Sequence, residues 1–412
     1  MSDPILLSDI GSLIDGAEKA VESIPHHEDI GITVVESAEA ITARVGDRLG
    51  VSGGRVYRRE EHGSSFLLVR SFGDAPEIDD PPRLDRSYPP VNQCLNHGVV
   101  YMSADDPSLD PEIEAALGAE NFAAIAVGEE EYLVAFDLHS GRDREASLVS
   151  LGVLRHSFNQ KIRQERFDDV LRQARKIQAS ILPRRSPSYG DFDIAGLSVP
   201  LETVGGDYYD YIALSDKILG LAVADVSGHG LPAALQVRDV YMGLHMGLGR
   251  EYKIVRTMER LNQIIHQSSL TSRFVSMFYG ELERNGNFLY VNAGHPPPFY
   301  LSAAGEVTLL RSGGLVLGPV PDATYERGFV SLAPGDMIVM YTDGIVEASC
   351  GDDEEYGVDR LIDAVRGLRG QPAQDVCAAV FAAVSGFCAH GHASDDRTVV
   401  VVQRREATSV AS

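Results

Sequence analysis

Two aspartates lie at equal distances from one short turn, and that symmetry limits what the middle of this 412-residue chain can become. Asp207 is nine residues before Asp216 and Asp225 is nine after it, with Ser215-Asp216-Lys217 as the turn. Ile218-Leu-Gly-Leu-Ala-Val-Ala-Asp225 is a continuous apolar run bounded by turn residues, which predicts a buried strand. Val204-Gly-Gly-Asp-Tyr-Tyr-Asp210 opens the strand before it. In a regular antiparallel hairpin centred on the turn, residues 207 and 225 are directly opposite on one face, with Cβ atoms about 5 Å apart. Two carboxylates so placed repel unless one is protonated or a cation lies between them. A bulge would break the register. Ser227-Gly-His-Gly230 follows Asp225, and Leu231-Pro-Ala-Ala-Leu235 starts a helix, so this corner alone serves equally as a turn of the fold or as a metal site.

Two further acidic segments occupy comparable places. Asp336-Met-Ile-Val-Met-Tyr-Thr-Asp343-Gly344 is an apolar strand ending in Asp-Gly, and Ser394-Asp395-Asp396-Arg397 immediately precedes the apolar run Thr398-Val-Val-Val-Val402. Acids are common turn formers, so each alone is explained by the fold. Four beside apolar strands in one region suggest an all-oxygen site, which suits Mg²⁺ or Mn²⁺, whereas zinc calls for His or Cys. Two such ions can activate a water and stabilise in-line displacement at phosphorus. The 60 acidic and 36 basic residues, a net charge of -24, agree with cation binding and disfavour nucleic acid or an anionic membrane as partners.

The strings GGDYYD, ADVSGHGLPAAL, FVSMFYGELERNGNFLYVNAGHPPPFYL, LAPGDMIVMYTDGIVEA and DDRTVVVV occur in that order over residues 185–405. Together they resemble the bacterial sporulation stage II protein E branch of the metal-dependent PPM (phosphatase 2C-like) serine/threonine phosphatases. The resemblance implies an αββα sandwich holding two Mn²⁺ or Mg²⁺ ions and hydrolysing phosphoserine or phosphothreonine. It implies that Asp225 bridges both ions, joined by the backbone carbonyl of Val226, and that Asp343 and Asp395 bind the second. Asp396 takes the place of Asp395 if the register is one residue off. Asp207 would hold metal-bound water, while Asp210 supports the strand. The implied substrate is a phosphorylated STAS-type anti-sigma-factor antagonist in a partner-switching pathway. The arginine that grips phosphate in eukaryotic relatives has no identifiable counterpart here.

Two histidines need separate readings. His229, in the glycine turn beside Asp225, either protonates the departing serine oxygen or caps the following helix. His295, in Asn292-Ala-Gly-His-Pro-Pro-Pro, sits at a rigid turn after a strand and reads as a hydrogen-bonded structural residue. No nucleophilic Ser or Cys constellation is visible, so no covalent enzyme intermediate is expected. A catalytically silent scaffold and a hydrolase of small phosphoesters are the alternatives. The complete acid set argues against the first, and the lack of a Gly-rich phosphate loop with Lys argues against the second.

Before residue 185 the texture differs. Residues 1–24 show helical spacing, with Ile5, Leu6, Ile10, Leu13 and Ile14 on one side, and Val34–Leu49 reads as a second helix. Hairpins are predicted for Gly54–Arg59 with Ser64–Arg70 and for Ala123–Val127 with Glu131–Asp137. A polar, Pro-rich loop covers 74–92 and a short strand covers Gly98–Met102. This layout over residues 25–149 resembles a GAF-type sensor domain, which implies a pocket for a small ligand or a dimerisation role. Cys94 and His97 read as loop residues where a ligand could be held, but a lone Cys and His three apart is ordinarily structural. No metal or haem is assigned there.

One long helix is predicted from 147 to 182, with Phe167, Val170/Leu171, Ala174, Ile177 and Ile181 recurring on one face. Leu151, Leu154 and Phe158 extend the stripe, and Pro183 stops the helix. The stripe either packs on its own domain or joins two copies as a coiled coil. Its place between two domain-like regions favours a homodimer through residues 150–182 that passes the sensor's state onward. After residue 190, nine strand-like runs with helices between them predict an α+β fold with two sheets. The expected order is a helix at 1–24, a sensor domain at 25–149, a linker at 150–183, a phosphatase domain at 185–405 and a disordered tail at 406–412. Cys94, Cys350, Cys377 and Cys388 show no CxxC pair. No apolar run approaches the roughly 18 residues that span a bilayer, and no basic segment precedes the first apolar residues. A cytoplasmic protein with reduced thiols is expected.

Overall fold

The computed structural model describes residues 7–118, 120–139, 144–248, 253–268, 274–349, 354–388 and 395–406. Ile5, Leu6, Cys350 and residues 407–412 of the expected tail lie outside the described residues. The chain divides into two compact units, Met1–Val170 and Leu171–Ser412. The division falls inside the long helix, where the sequence suggested a separate linker.

The first unit contains α1 (Leu7–Glu22), α2 (Ile30–Leu49), β1 (Val51–Arg59), β2 (Ser65–Gly73), β3 (Leu84–Asp85), α3 (Pro89–His97), β4 (Val99–Met102), α4 (Pro111–Leu117), β5 (Phe122–Val127), β6 (Tyr132–Leu138) and the N-terminal part of α5 (Arg144–Ile181). The strands form one antiparallel sheet in the order β3-β2-β1-β6-β5-β4. Val34, Ile41 and Val45 of α2 join Leu151, Leu154, Phe158 and Ile162 of α5 in one core over a face of this sheet. Cys94, Leu95 and Leu117 cover the other face.

Two sequence expectations change here. The loop at 74–92 is interrupted by β3 and ends in α3, so Cys94 and His97 are helical. Pro89 and Pro90 open that helix, where the fixed φ is favourable and no N–H is needed. Leu151, Leu154 and Phe158 belong to the core of the first unit and not to a coiled-coil seam. Further along α5, Phe167, Val170 and Ile177 are 56%, 50% and 53% exposed. The apolar residues of α5 therefore form two stripes with different surroundings.

The second unit continues with β7 (Phe192–Val199), β8 (Asp207–Ser215), β9 (Ile218–Val226), α6 (Gly230–Leu248), α7 (Ile254–Gln267), β10 (Val275–Glu283), β11 (Asn287–Ala293), β12 (Phe299–Leu301), β13 (Val307–Leu309), β14 (Gly313–Gly314), β15 (Gly328–Ser331), β16 (Met337–Tyr341), α8 (Asp343–Val346), α9 (Gly357–Arg366), α10 (Ala373–Phe387) and β17 (Arg397–Arg404). The predicted strands and long helices are present. The short elements β14, β15 and α8 span too few residues to create a periodic signal.

One sheet runs β14-β11-β10-β9-β8, with β15 beside β11, and the other runs β13-β12-β16-β17-β7. Leu221, Val223 and Phe278 from the first meet Ile338, Met340 and Val400 from the second in a core between the sheets. α6 and α7 cover the outer face of the first sheet, and α9 and α10 cover that of the second. The result is an αββα sandwich, an α+β architecture.

Strand alternation decides what lies at its mouth. Side chains of alternate residues share a face, so Asp225 continues the inward row Leu219, Leu221, Val223. The same step from Tyr209 reaches Asp207, from Phe278 reaches Ser276, from Met340 reaches Thr342, and from Val400 reaches Thr398. At one end of the sandwich, five inward rows change from apolar to polar.

Candidate metal centre

β8 and β9 place Asp207 directly opposite Asp225, and the irregularity in their pairing falls between Ala213 and Ser215, at the turn. The facing register therefore survives intact. On the other side of β9, Ser276 stands opposite Asp225.

Asp207 is 3% exposed. Its Oδ2 accepts hydrogen bonds from the hydroxyls of Thr342 (2.8 Å) and Thr398 (2.6 Å), both from the opposite sheet. Thr342 Oγ1 in turn accepts the Thr398 N–H at 2.9 Å. Oδ1 of Asp207 is buried with no protein partner among the described residues. Burial, then the Asp225 charge, hold the Asp207 carboxyl well above the usual carboxylate range, with the threonine bonds opposing.

Asp225 is pushed up to about 8, first by burial and then by the charges of Asp343, Asp395, Asp396 and Glu347. Asp343 opens α8, and its Oδ1 accepts the Gly344 N–H at 2.9 Å. Burial and Asp395 raise Asp343 as well. Asp395 and Asp396, adjacent in sequence, do different work. Both oxygens of Asp396 hold backbone, accepting Leu201 N–H at 2.6 Å and Gly206 N–H at 2.5 Å. Asp395 accepts only the Asp396 N–H among these contacts, at 2.8 Å, and is half-buried. The structure therefore separates a backbone clamp, Asp396, from an acid left to the cluster, Asp395.

Glycines make the approach close enough. A Cβ on Gly206 would stand 2.7 Å from the Val226 carbonyl oxygen, and one on Gly344 would stand 2.0 Å from the Asp396 carbonyl oxygen. Neither contact is tolerable, so the Gly-Gly-Asp and Asp-Gly pairs are steric requirements of the mouth.

Sequence reasoning missed Glu347, whose carboxyl is raised by burial, Asp343, Glu355 and Asp395. Its spacing of four residues from Asp343, one helical turn, was the available signal. It also missed Thr342 and Thr398 as donors, because their targets lie far away in the chain.

The histidines also find specific partners. His229 is exposed, and its Nδ1 lies 2.7 Å from Glu202 Oε1, so its ring is engaged by a carboxylate. His295 is buried, with Nδ1 2.8 Å from Ser276 Oγ and its backbone N–H donated to Asn292 Oδ1 at 2.8 Å. Burial pushes its imidazole down to about 3. Asp210 accepts from Tyr208 OH and meets His245 Nε2, both at 2.7 Å, which ties β8 to α6.

The donors at this mouth are carboxylate and carbonyl oxygens, the set preferred by Mg²⁺ and Mn²⁺. The unpartnered buried oxygen of Asp207 and the mutual repulsion at Asp225 both favour positive charge there. The acids border the mouth without closing on one point: among the described residues, no three His, Cys, Asp or Glu side chains form a ready-made ligand group. The residues fit divalent cations by the chemistry of their oxygen donors.

The first unit has a cavity of about 40 Å³ lined by Arg55, Tyr57, Tyr88, Cys94 and Glu114 among others. Arg55 is buried, bonded to Asp137 Oδ1 (2.8 Å) and Leu117 O (2.7 Å), and its Nε has no protein partner among the described residues. Burial pushes the Cys94 thiol up to about 12. His97 is exposed and bonds Gln93 O at 3.0 Å.

Two facing sheets, helices outside both, and acids at one mouth define the PP2C-type phosphatase fold. The SiaA-PP2C domain of Pseudomonas aeruginosa shares it, with a TM-score of 0.53 and 24% identity over 58% of this chain and 98% of that one. Residues 215–405 match the Stage II sporulation protein E (SpoIIE) family. The phosphoserine phosphatase RsbU of Bacillus subtilis is 33% identical over 176 residues, 42% of this chain and 52% of that protein. Protein IcfG of Synechocystis is 28% identical over 281 residues, 59% of this chain and 43% of that protein. The chain thus spans about half the length of the curated relatives it matches. Among the described residues no helix is long and apolar enough to cross a membrane.

Proposed function

We propose that residues 185–405 form a metal-dependent protein phosphatase acting on phosphoserine or phosphothreonine. The single observation that carries this reading is the buried pairing of Asp207 with Asp225 at a mouth also bordered by Asp343, Asp395 and Glu347. Asp225, joined by the Val226 carbonyl, would hold Mn²⁺ or Mg²⁺ together with Asp343 and Asp395. When bound, the ions would supply an activated water and neutralise the phosphoryl oxygens. Asp207, fixed by Thr342 and Thr398, orients the attacking water through its unpartnered oxygen. Attack by the water oxygen on phosphorus breaks the bond to the serine oxygen, which must gain a proton. His229, with Nδ1 on Glu202, would supply it from its other ring nitrogen.

The substrate we propose is a phosphorylated STAS-type anti-sigma-factor antagonist, in the cytoplasm, through a partner-switching pathway. Relatives named phosphoserine phosphatase, RsbU and RsbP of Bacillus subtilis, support a phosphoserine substrate. The first unit would be a GAF-type sensor, its Arg55-lined cavity taking a small ligand. The exposed stripe Phe167, Val170, Ile177 would join two copies within residues 150–182.

Phosphate release from phosphorylated STAS-domain proteins, titrated with Mn²⁺ on the full chain and on Asp225→Ala, tests the assignment. Release that needs Mn²⁺ and vanishes in the variant is expected. Full activity in Asp225→Ala would overturn it, and faster release from nucleotides than from phosphoprotein would redirect it to small phosphoesters.

A further inference from the structure

We infer that Gln178, near the end of α5, is a positioning residue for the metal centre, holding the backbone from which Asp207 projects. The inference rests on the proposed phosphatase reading. Gln178 is 8% exposed, although its neighbours Ile177 and Ala179 are both exposed. Burying a long polar side chain sacrifices rotamer freedom and hydration, so its partners must compensate.

Those partners are both backbone groups of one residue. Gln178 Nε2 donates to Gly205 O at 2.7 Å, and Gln178 Oε1 accepts the Gly205 N–H at 3.2 Å. A primary amide offers a donor and an acceptor side by side, so it can hold both polar groups of a glycine at once. The next peptide is held from other directions. Gly206 N–H donates to Asp396 Oδ2 at 2.5 Å, and Gly206 O accepts the Val226 N–H at 3.1 Å. All four polar groups of the Gly205-Gly206 backbone are therefore accounted for.

Glycine makes this clasp necessary. A Cβ on Gly205 would stand 2.4 Å from Asp396 Oδ2, so the site demands the residue with the most backbone freedom. Two such residues in a row would wander unless anchored. Asp207 begins β8 directly after them, and Val226, whose carbonyl is a proposed ligand, is bonded to the second. Releasing Gly205 would loosen Asp207 and the Val226 carbonyl together. Partners that orient ligands in this way typically change metal affinity by about 10- to 100-fold when removed.

The test uses the full chain carrying Gln178→Met, which keeps the length and loses both hydrogen bonds. Gln178→Asn keeps the amide but shortens its reach. Calorimetry with Mn²⁺ should show both variants binding about tenfold or more weakly. KM for phosphoprotein at saturating Mn²⁺ should stay unchanged, while the metal-free melting temperature should fall by a few degrees, because Gly205 loses both partners. Equal Mn²⁺ affinity in variant and unaltered chain overturns the inference. So does a lower metal-free melting temperature with unaltered affinity, which would mark a purely structural role. If the unaltered chain neither binds Mn²⁺ nor releases phosphate, the phosphatase reading itself fails.

Discussion

Asp207 and Asp225 face each other across β8 and β9, and the charge of Asp225 reinforces burial in raising the affinity of Asp207 for a proton. A protein interior tolerates such a pair only with a proton or a cation. The fold supplies neither in the form of a Lys or Arg bonded to either carboxylate among the described residues. Its stability and its proposed chemistry therefore meet at the same pair.

Asp225→Asn should separate the two. It removes the charge that Asp343, Asp395 and Glu347 repel. The metal-free melting temperature is expected to rise by roughly 2–4 °C for each ~1 kcal/mol of repulsion relieved. Stabilisation by Mn²⁺ and phosphate release should disappear. Calorimetric scans with and without Mn²⁺ check both effects.

Metal-free stability should fall as pH rises from about 4 to about 8. Asp225 binds its proton more tightly when folded, up to about 8, than a free aspartate does. A raised folded value contributes stability at low pH and loses it as pH passes through that value. Saturating Mn²⁺, which binds the ionised form, should flatten or reverse the slope. Urea midpoints across that range measure it.

His295 predicts a loss in the opposite direction. Its imidazole is held down to about 3 when buried, whereas an unfolded histidine titrates near 6.5. The stability it provides is complete above about 6.5 and is lost as pH falls toward 3. His295→Gln should be less stable at pH 7 and lose less on acidification, as followed by acid unfolding.

Thr398→Val, nearly the same shape, removes one donor to Asp207 Oδ2. A loss of about 1–3 kcal/mol is expected for a buried carboxylate deprived of a partner. Weaker Mn²⁺ binding should accompany it. Thr342→Val should act similarly and, because the two hydroxyls share one acceptor that only the double variant leaves unpaired, the double variant should lose more than the sum of the singles. Denaturant titration of the single and double variants checks this.

The exposed stripe predicts a dimer that dissociates without unfolding. Phe167→Asp with Ile177→Asp should yield a folded monomer in light scattering at micromolar concentration. Leu154→Asp, in the core of the first unit, should instead unfold that unit. A monomeric unaltered chain, with and without metal, would count against the dimer.

The alternation of apolar and polar residues, and the equal spacing of Asp207 and Asp225 about one turn, were legible in the sequence because strand pairing near a hairpin is a local matter. The period of two and the turn together set which residues face each other. The helical pattern of α5 was legible as well, but its apolar residues serve a core in one stretch and lie exposed in another. Spacing alone carries no information about what covers a face.

The choice between Asp395 and Asp396 belonged to the tertiary structure. Asp396 is taken by Leu201 and Gly206 N–H groups 195 and 190 residues away, which leaves Asp395 to the acid cluster. Thr342, Thr398 and Gln178 reach their targets across comparable or smaller gaps that no local pattern encodes. The sequence by itself determined the sandwich and the acids at its strand ends. Which acid clamps backbone, which is left to the acid cluster, and what holds the glycines between them were decided when the two sheets closed, because hydrogen bonds form over distances of about 3 Å in space, whatever the separation in sequence.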